Sequence, residues 1–355
     1  MSFFWSSWIT IFSIGCWLFI FGVLVLTLKH KPPLDEDGTT GHEYDGIREY
    51  DKPLPKWWLV VFFATLFWGL GYFVFFPAIQ PSSWAGITTV EVDGEEVPWT
   101  SENELNSELQ SNNAKFVESF NQVLGNAGAS EATAILTKLN ELQSEQKKNA
   151  EPNADLQKQI DEQLVALAPF VDKLAADPEV QKMGNRLFLQ NCALCHGSNA
   201  KGSVGYPNLT DNDWLFGGDA ASVLTSIHNG RISGMAAWQK QIGESGVRAT
   251  AEYVMSISGN INGDTLNPTL VKQGEAIFKQ NCTLCHGQDA KGLTAMGAPN
   301  LTDDIWLYGN DRAIIQETIR NGRAGVMPAW TTRLGNERVM LLAAYVRTLS
   351  ETPAQ

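Results

Sequence analysis

Cys192-Ala193-Leu194-Cys195-His196 sets two thiols three positions apart with a histidine directly behind them, and Cys282-Thr283-Leu284-Cys285-His286 does so again. That spacing suits covalent attachment of c-type haem, in which the thiols add to two vinyl groups and the imidazole becomes the proximal iron ligand. Zinc fits poorly, because each unit supplies two cysteines and one adjacent histidine where a structural site wants four ligands. A thioredoxin-like redox pair needs no histidine and wants a strand and helix context that is missing here. Cys16 is the one cysteine outside the two tags, so a disulfide framework is excluded.

The repeat extends well beyond these five residues. Asn191 to Gly197 reads NCALCHG against NCTLCHG from Asn281 to Gly287, and Ala-Lys-Gly follows in both (Ala200 to Gly202, Ala290 to Gly292). The run from Asn208 to Asp219 returns from Asn300 to Asp311, and Ile227-His-Asn-Gly-Arg231 returns as Ile319-Arg-Asn-Gly-Arg323. This is one duplicated domain, with too few copies for a solenoid.

A sixth iron ligand is expected from a methionine that recurs in register. Ser233-Gly-Met235-Ala-Ala-Trp238 matches Gly325-Val-Met327-Pro-Ala-Trp330, which assigns Met235 to the first haem with His196 and Met327 to the second with His286. A thioether raises the reduction potential, and a filled sixth position closes the iron to small ligands, so such haems carry electrons. Met183, Met255 and Met340 fall on helical stripes and read as core, while Met296 lies in a short insertion of the second unit. His228 is the competing imidazole, although its counterpart in the second repeat is Arg320.

The elements that must hold these residues are helical. Met183 to Phe188 and Lys272 to Phe278 precede the two tags, and amphipathic stretches with a matching tyrosine close the two units: Ala249 to Ile257 with Tyr253, and Glu337 to Leu349 with Tyr345. Each unit resembles a small cytochrome c domain, in which a helix before the haem crosses a helix at the end. That resemblance implies Pro207 and Pro299 as the carbonyl partners of the proximal histidines. Arg231 and Arg323 are expected partners of haem propionates or, alternatively, plain exposed arginines. Trp214, Trp306, Trp238 and Trp330 are expected to wall the pockets or simply to fill the core.

Upstream, Phe3 to Leu28 and Trp57 to Gln80 carry no charge and exceed the roughly 20 apolar residues of a membrane-spanning helix. The start Met1-Ser2-Phe3-Phe4-Trp5 lacks a basic region, so the first span reads as a retained anchor. Trp57, Trp58, Pro81 and Trp84 mark the ends of the second span. Lys29, Lys31, Arg48, Lys52 and Lys56 sit between the spans, which predicts a cytoplasmic loop with the repeats in the periplasm of a bacterial inner membrane.

The formal charge of the chain is −13. Of its 39 acidic and 26 basic residues, 18 and 6 lie between Glu91 and Val180, so the acidity belongs to one segment and nothing is basic enough to bind nucleic acid. Within it a hairpin is expected around Asp93-Gly94, followed by two or three helices with breaks at Gly125 to Gly128 and at Glu151-Pro152-Asn153. The segment is either a solvated helical spacer or a docking module for a partner.

The expected fold is mainly α, with two N-terminal transmembrane helices and two tandem cytochrome c domains. Residues 1–30 and 57–85 are the spans, 31–56 the loop, 86–178 the acidic insertion, and 179–262 and 263–355 the two haem domains. This layout resembles the membrane-anchored dihaem subunit of cbb3-type cytochrome c oxidase, a C-family haem-copper oxidase. The likeness covers the spans and the chain from about Asp177, including Gly184-Asn-Arg-Leu-Phe188 and Lys201-Gly202, whereas 102–176 is longer than that family has. It implies two covalently bound haems c, a donor cytochrome c, and onward transfer to a monohaem subunit and the catalytic haem-copper subunit. A dihaem cytochrome serving a dehydrogenase or a quinol-oxidising complex would share every motif, and a dihaem peroxidase would need an open iron.

Overall fold

The computed structural model describes residues 3–30, 34–36, 38–50, 54–76, 86–149, 153–259 and 265–350. These form two compact units, Met1–Phe116 and Val117–Gln355.

The first unit holds the two apolar helices. α1 (Phe3–Lys29) and α2 (Lys56–Phe75) have 27 and 20 residues, or about 40 and 30 Å at 1.5 Å per residue, enough to cross a hydrocarbon layer of about 30 Å. Both are long and apolar enough to span. They touch where Trp17 Nε1 donates to the Leu66 carbonyl at 3.1 Å and Phe21 meets Phe63 edge-on at 6.1 Å, while Phe19 and Trp68 stay exposed, as lipid-facing residues do. Pro81, Trp84, Lys31 and Lys52, named above for the belt and the loop charge, lie outside the described residues.

Between the helices, β1 (Thr39–Tyr44) and β2 (Ile47–Tyr50) form an antiparallel hairpin that sequence reading missed, although Asp45-Gly46 signals it. Both turn residues are left-handed (φ 49° and 80°), the geometry of a tight hairpin turn. The expected second hairpin is present as β3 (Thr89–Val92) and β4 (Glu95–Pro98), turning through Asp93 and Gly94 at φ 55° and 80°.

The insertion is helical but is not a solvated spacer throughout. α3 (Ser101–Asn126) starts where the Thr100 hydroxyl accepts from Asn103 N at 3.0 Å. It leaves Leu105 and Leu109 exposed and buries only Phe120, Val123 and Leu124. α4 (Ala132–Lys148) and α5 (Ala154–Ala175) bury Leu136, Leu139, Leu142, Ile160, Leu164, Leu167, Val171 and Leu174. At about 1.5–3 kcal/mol per buried aliphatic side chain, this face is what seats the pair on the repeats.

The repeats follow as α6 (Pro178–Asn191), α7 (Ala193–His196), α8 (Ala220–Asn229), β5 (Arg231–Met235), α9 (Gln239–Ser258), α10 (Pro268–Asn281), α11 (Thr283–His286), a 3₁₀ turn at Thr294–Met296, α12 (Arg312–Asn321), β6 (Arg323–Met327), α13 (Thr331–Leu334) and α14 (Asn336–Arg347). α6 and α10 begin alike, with Asp177 and Asn267 as N-caps before a proline at the first position.

The two repeats, expected at 179–262 and 263–355, are fastened to each other by helices that cross between them. A Cβ on Gly184 of α6 would overlap Tyr345 of α14, and one on Gly274 of α10 would overlap the Ala249 carbonyl and lie 2.8 Å from Tyr253 Cβ of α9. Phe188 stacks on Tyr345 at 5.7 Å and Phe278 on Tyr253 at 5.3 Å. Each opening helix therefore crosses the closing helix of the other repeat. Polar contacts fasten α14 the same way: the Tyr345 hydroxyl reaches Asn185 Oδ1 at 3.1 Å, and Arg347 Nη1 donates to the Gly218 carbonyl at 2.6 Å.

Candidate haem centres

Each tag forms a single helical turn at the end of its opening helix, with Cys192 N and Cys282 N bonded back to Phe188 O and Phe278 O at 2.8 Å. The turn places the cysteine pair of each tag at its edge and buries the histidine behind. His196 Nδ1 lies 3.0 Å from the Pro207 carbonyl, and His286 Nδ1 lies 3.2 Å from the Pro299 carbonyl. A carbonyl only accepts, so Nδ1 carries the proton and Nε2 keeps its lone pair. Burial lowers the pKa of both imidazoles below the usual value, which keeps them neutral, as an iron ligand must be. Burial, with the neighbouring Cys195 and Cys285, pushes the Cys192 and Cys282 thiols up to about 11.

Met235 lies in the core of the opposite repeat's tag. Met235 and Trp238 pack against the core of Val247, Ala251, Val254, Met255, Phe278, Ile315 and Ile319, which Cys282, Leu301 and Trp306 also join. His286 faces Phe278 of that core at 6.4 Å. This places Met235, expected with His196, in the core that also holds the second tag. β5 pairs antiparallel with β6, Arg231 opposite Met327 and Met235 opposite Arg323. Trp238 N donates to the Ile319 carbonyl at 3.0 Å, and Trp330 N to the Ile227 carbonyl at 3.1 Å. The segment after each strand thus runs beside the middle helix of the other repeat.

The remaining sequence candidates fall in distinct places. Arg231 stacks over Phe216 at 4.9 Å and donates to Ser226 Oγ at 2.8 Å, and Arg323 stacks over Tyr308 at 4.4 Å and donates to Thr318 Oγ1 at 2.9 Å. Both arginines are partly buried and ordered by these stacks, rather than plainly exposed. Met255 and Met340 are core, and Met296 is exposed. His228 is buried with both ring nitrogens engaged, by Gln143 at 2.5 Å and Asn229 at 2.6 Å. That network removes it as a rival ligand. Sequence reading missed the network because Gln143 lies 85 residues away.

The two centres share a seam. Gly205 N donates to the Leu307 carbonyl at 2.8 Å, and Gly297 lies flat against the Phe216 ring. Burial and the charges of Asp303 and Asp211 raise the Asp213 carboxyl to about 6, so a carboxylate of one repeat feels one of the other.

The residues present fit a c-type haem. The cysteine pair would hold such a group through two thioethers, and the oriented imidazole would ligate its iron. Trp306 Nε1, buried in the core that Cys282 and Met235 join, has no hydrogen-bond partner. A buried donor of this kind is costly unless paired, and a propionate would pair it.

Comparison with known proteins gives one answer. The family model described as the N-terminal domain of cytochrome oxidase-cbb3, FixP, matches residues 36–83. The model of cytochrome c oxidase, cbb3-type, subunit III matches residues 179–254 and 269–346, one match per repeat. The chain is 38% identical to cbb3-type cytochrome c oxidase subunit FixP of Azorhizobium caulinodans, over 90% of this chain and 97% of that one. It is 35% identical to subunit CcoP of Cereibacter sphaeroides over 90% and 97%, and 31% identical to subunit CcoP of Rubrivivax gelatinosus over 98% and 95%. Neither family model reaches residues 84–178, which contain the insertion.

Proposed function

From its membership of the cbb3-type cytochrome c oxidase subunit III family, to which the chain belongs, we propose how its residues do the work of that family. The chain is an electron-transfer subunit of a cbb3-type cytochrome c oxidase, anchored by its N-terminal helices.

Two haems c are held covalently, one at Cys192 and Cys195 and one at Cys282 and Cys285. His196 and Met327 ligate the first iron, and His286 and Met235 the second. The observation that carries this reading is the pair of buried histidines, each oriented by a prolyl carbonyl, with Met235 in the core that holds the second tag. Bound haem supplies reversible one-electron chemistry. The protein fixes the tautomer of each imidazole, excludes water with Phe188 and Phe278, and fills the sixth position with sulfur, so that neither site opens to oxygen or peroxide. Arg231 and Arg323 place positive charge beside the methionine strands, where it offsets propionate charge. Asp172, Asp161 and the other acids of the insertion suit a basic donor cytochrome c.

The basic residues between the spans put the hairpin of residues 39–50 in the cytoplasm and the repeats in the periplasm. With both haems bound, the chain would relay electrons from a donor cytochrome c towards a monohaem subunit and the catalytic haem-copper subunit. The two tandem repeats work together through the helices that cross between them.

Gentle solubilisation followed by subunit identification and oxygen uptake with reduced cytochrome c tests this role. The expected result is a complex with oxygen-reducing activity in which this chain retains two haems after denaturation. Co-purification with a dehydrogenase, or fewer than two retained haems, would overturn it.

A further inference from the structure

Gly230 and Gly322 stand immediately before the two methionine strands, and the repeat explains neither choice of residue by helix or strand propensity. Both adopt a conformation open in practice only to glycine: φ 72°, ψ −178° for Gly230 and φ 74°, ψ −177° for Gly322. The space beside each is taken by the other repeat. A Cβ on Gly230 would overlap the Met327 carbonyl oxygen and lie 2.7 Å from Ala329 N. On Gly322 it would overlap the Met235 carbonyl oxygen and lie 2.9 Å from Ala237 N.

We propose that Gly230 and Gly322 are positioning residues for the methionine of the opposite repeat, and that the ribbon they begin makes the two haem sites one coupled unit. The backbone of each methionine is pressed on the glycine of the other repeat, and the register pairs each methionine with the arginine that follows that glycine. Neither thioether can be placed without the opposite strand. The sites are therefore gained and lost together, although 90 residues separate the tags in sequence. This inference rests on the ligand assignment above.

The test uses full-length chain in its oxidase complex, with Gly230→Ala, Gly322→Ala and, as control, Gly243→Ala. Gly243 also has a positive φ (67°), but nothing lies within 4 Å of its missing Cβ. It therefore carries the strain of a left-handed alanine without the contact. The expected result is weakening of the sulfur-to-iron absorption band and a shifted redox wave for both haems in each ribbon variant, and a loss confined to one haem refutes the coupling. Gly243→Ala keeps the full band, and covalent haem is retained in all three. Full bands in both ribbon variants overturn the proposal, as does equal loss in Gly243→Ala. Should the ribbon variants fail to accumulate, heating the unaltered complex decides: one shared loss of the band for both haems supports the coupling, and two separate steps refute it. If Met235→His and Met327→His leave the band intact, the ligand assignment fails instead.

Discussion

His228 gives the most direct handle on how the insertion holds the repeats. Its ring is 2% exposed, accepts from Gln143 Nε2 and donates to Asn229 Oδ1. Gln143 also contacts Thr331 at 2.8 Å and Asn336 at 3.2 Å, so one side chain of α4 joins the first repeat to the closing segment that carries Met327. Burial lowers the pKa of His228 below 6.5, against the opposing pull of Asn229, Asn336 and the Asp161 carboxylate. A histidine held neutral in the folded state contributes fully above its unfolded pKa, and that contribution is lost as pH falls from 6.5 towards the folded value. Each pH unit over which the unfolded chain takes up the proton and the buried ring does not costs about 1.4 kcal/mol. For a unit of this size that is roughly 3–6 °C in Tm. Thermal melts of the haem-loaded protein at pH 7.5 and 5.5, beside His228→Gln, measure it. The variant should be less stable at pH 7.5 but lose less on acidification. Equal pH dependence in both proteins would refute the reasoning.

Other outcomes follow from the same geometry. In a chain whose second tag is removed by Cys282→Ser and Cys285→Ser, Met327→Ala should abolish the remaining sulfur-to-iron band and Met235→Ala should leave it, and the reverse result would restore the within-repeat pairing. Gly274→Ala drives a methyl into the Ala249 carbonyl and should destabilise the unit by about 1–3 kcal/mol, the range for overpacking, as read by denaturant titration. Asn336→Ala leaves Asn140 and Gln143 without their buried amide partner and should cost about 1–3 kcal/mol. With the Asp213 carboxyl raised to about 6, a negative charge forms at the seam as pH rises through that value. Negative charge favours the ferric state, so haem potentials should fall across this window, and Asp213→Asn should flatten the fall in redox titrations.

Much of the chain was legible without coordinates wherever chemistry and spacing are local. The two tags, the recurrent methionines, the apolar spans and the hairpin at Asp93-Gly94 all depend on residues within a few positions of one another. Pro207 and Pro299 came from likeness to cytochrome c, and the loop geometry brings both carbonyls to the histidines. The hairpin at Asp45-Gly46 carried a readable turn signal that charge counting overshadowed. Gln143 carried none, because an exposed-looking amide on a highly polar helix reads as solvent-facing until a partner is known.

Pairing between the repeats was decided only in three dimensions. Gly184 and Phe188 present nearly the same surface as Gly274 and Phe278, and Tyr253 nearly the same as Tyr345, so either closing helix can satisfy either opening helix with equal burial. Hydrophobic periodicity cannot rank two arrangements that hide the same groups. What separates them is connectivity: α9 and α10 are joined by only the residues from 259 to 267, and a short connection lets consecutive helices pack at low loop-closure cost. Once they pair, α6 is left to α14, and β5 pairs with β6 across the repeats. The amino acids thus dictated which groups are available to bind iron, and the tertiary fold decided which neighbours each of them meets.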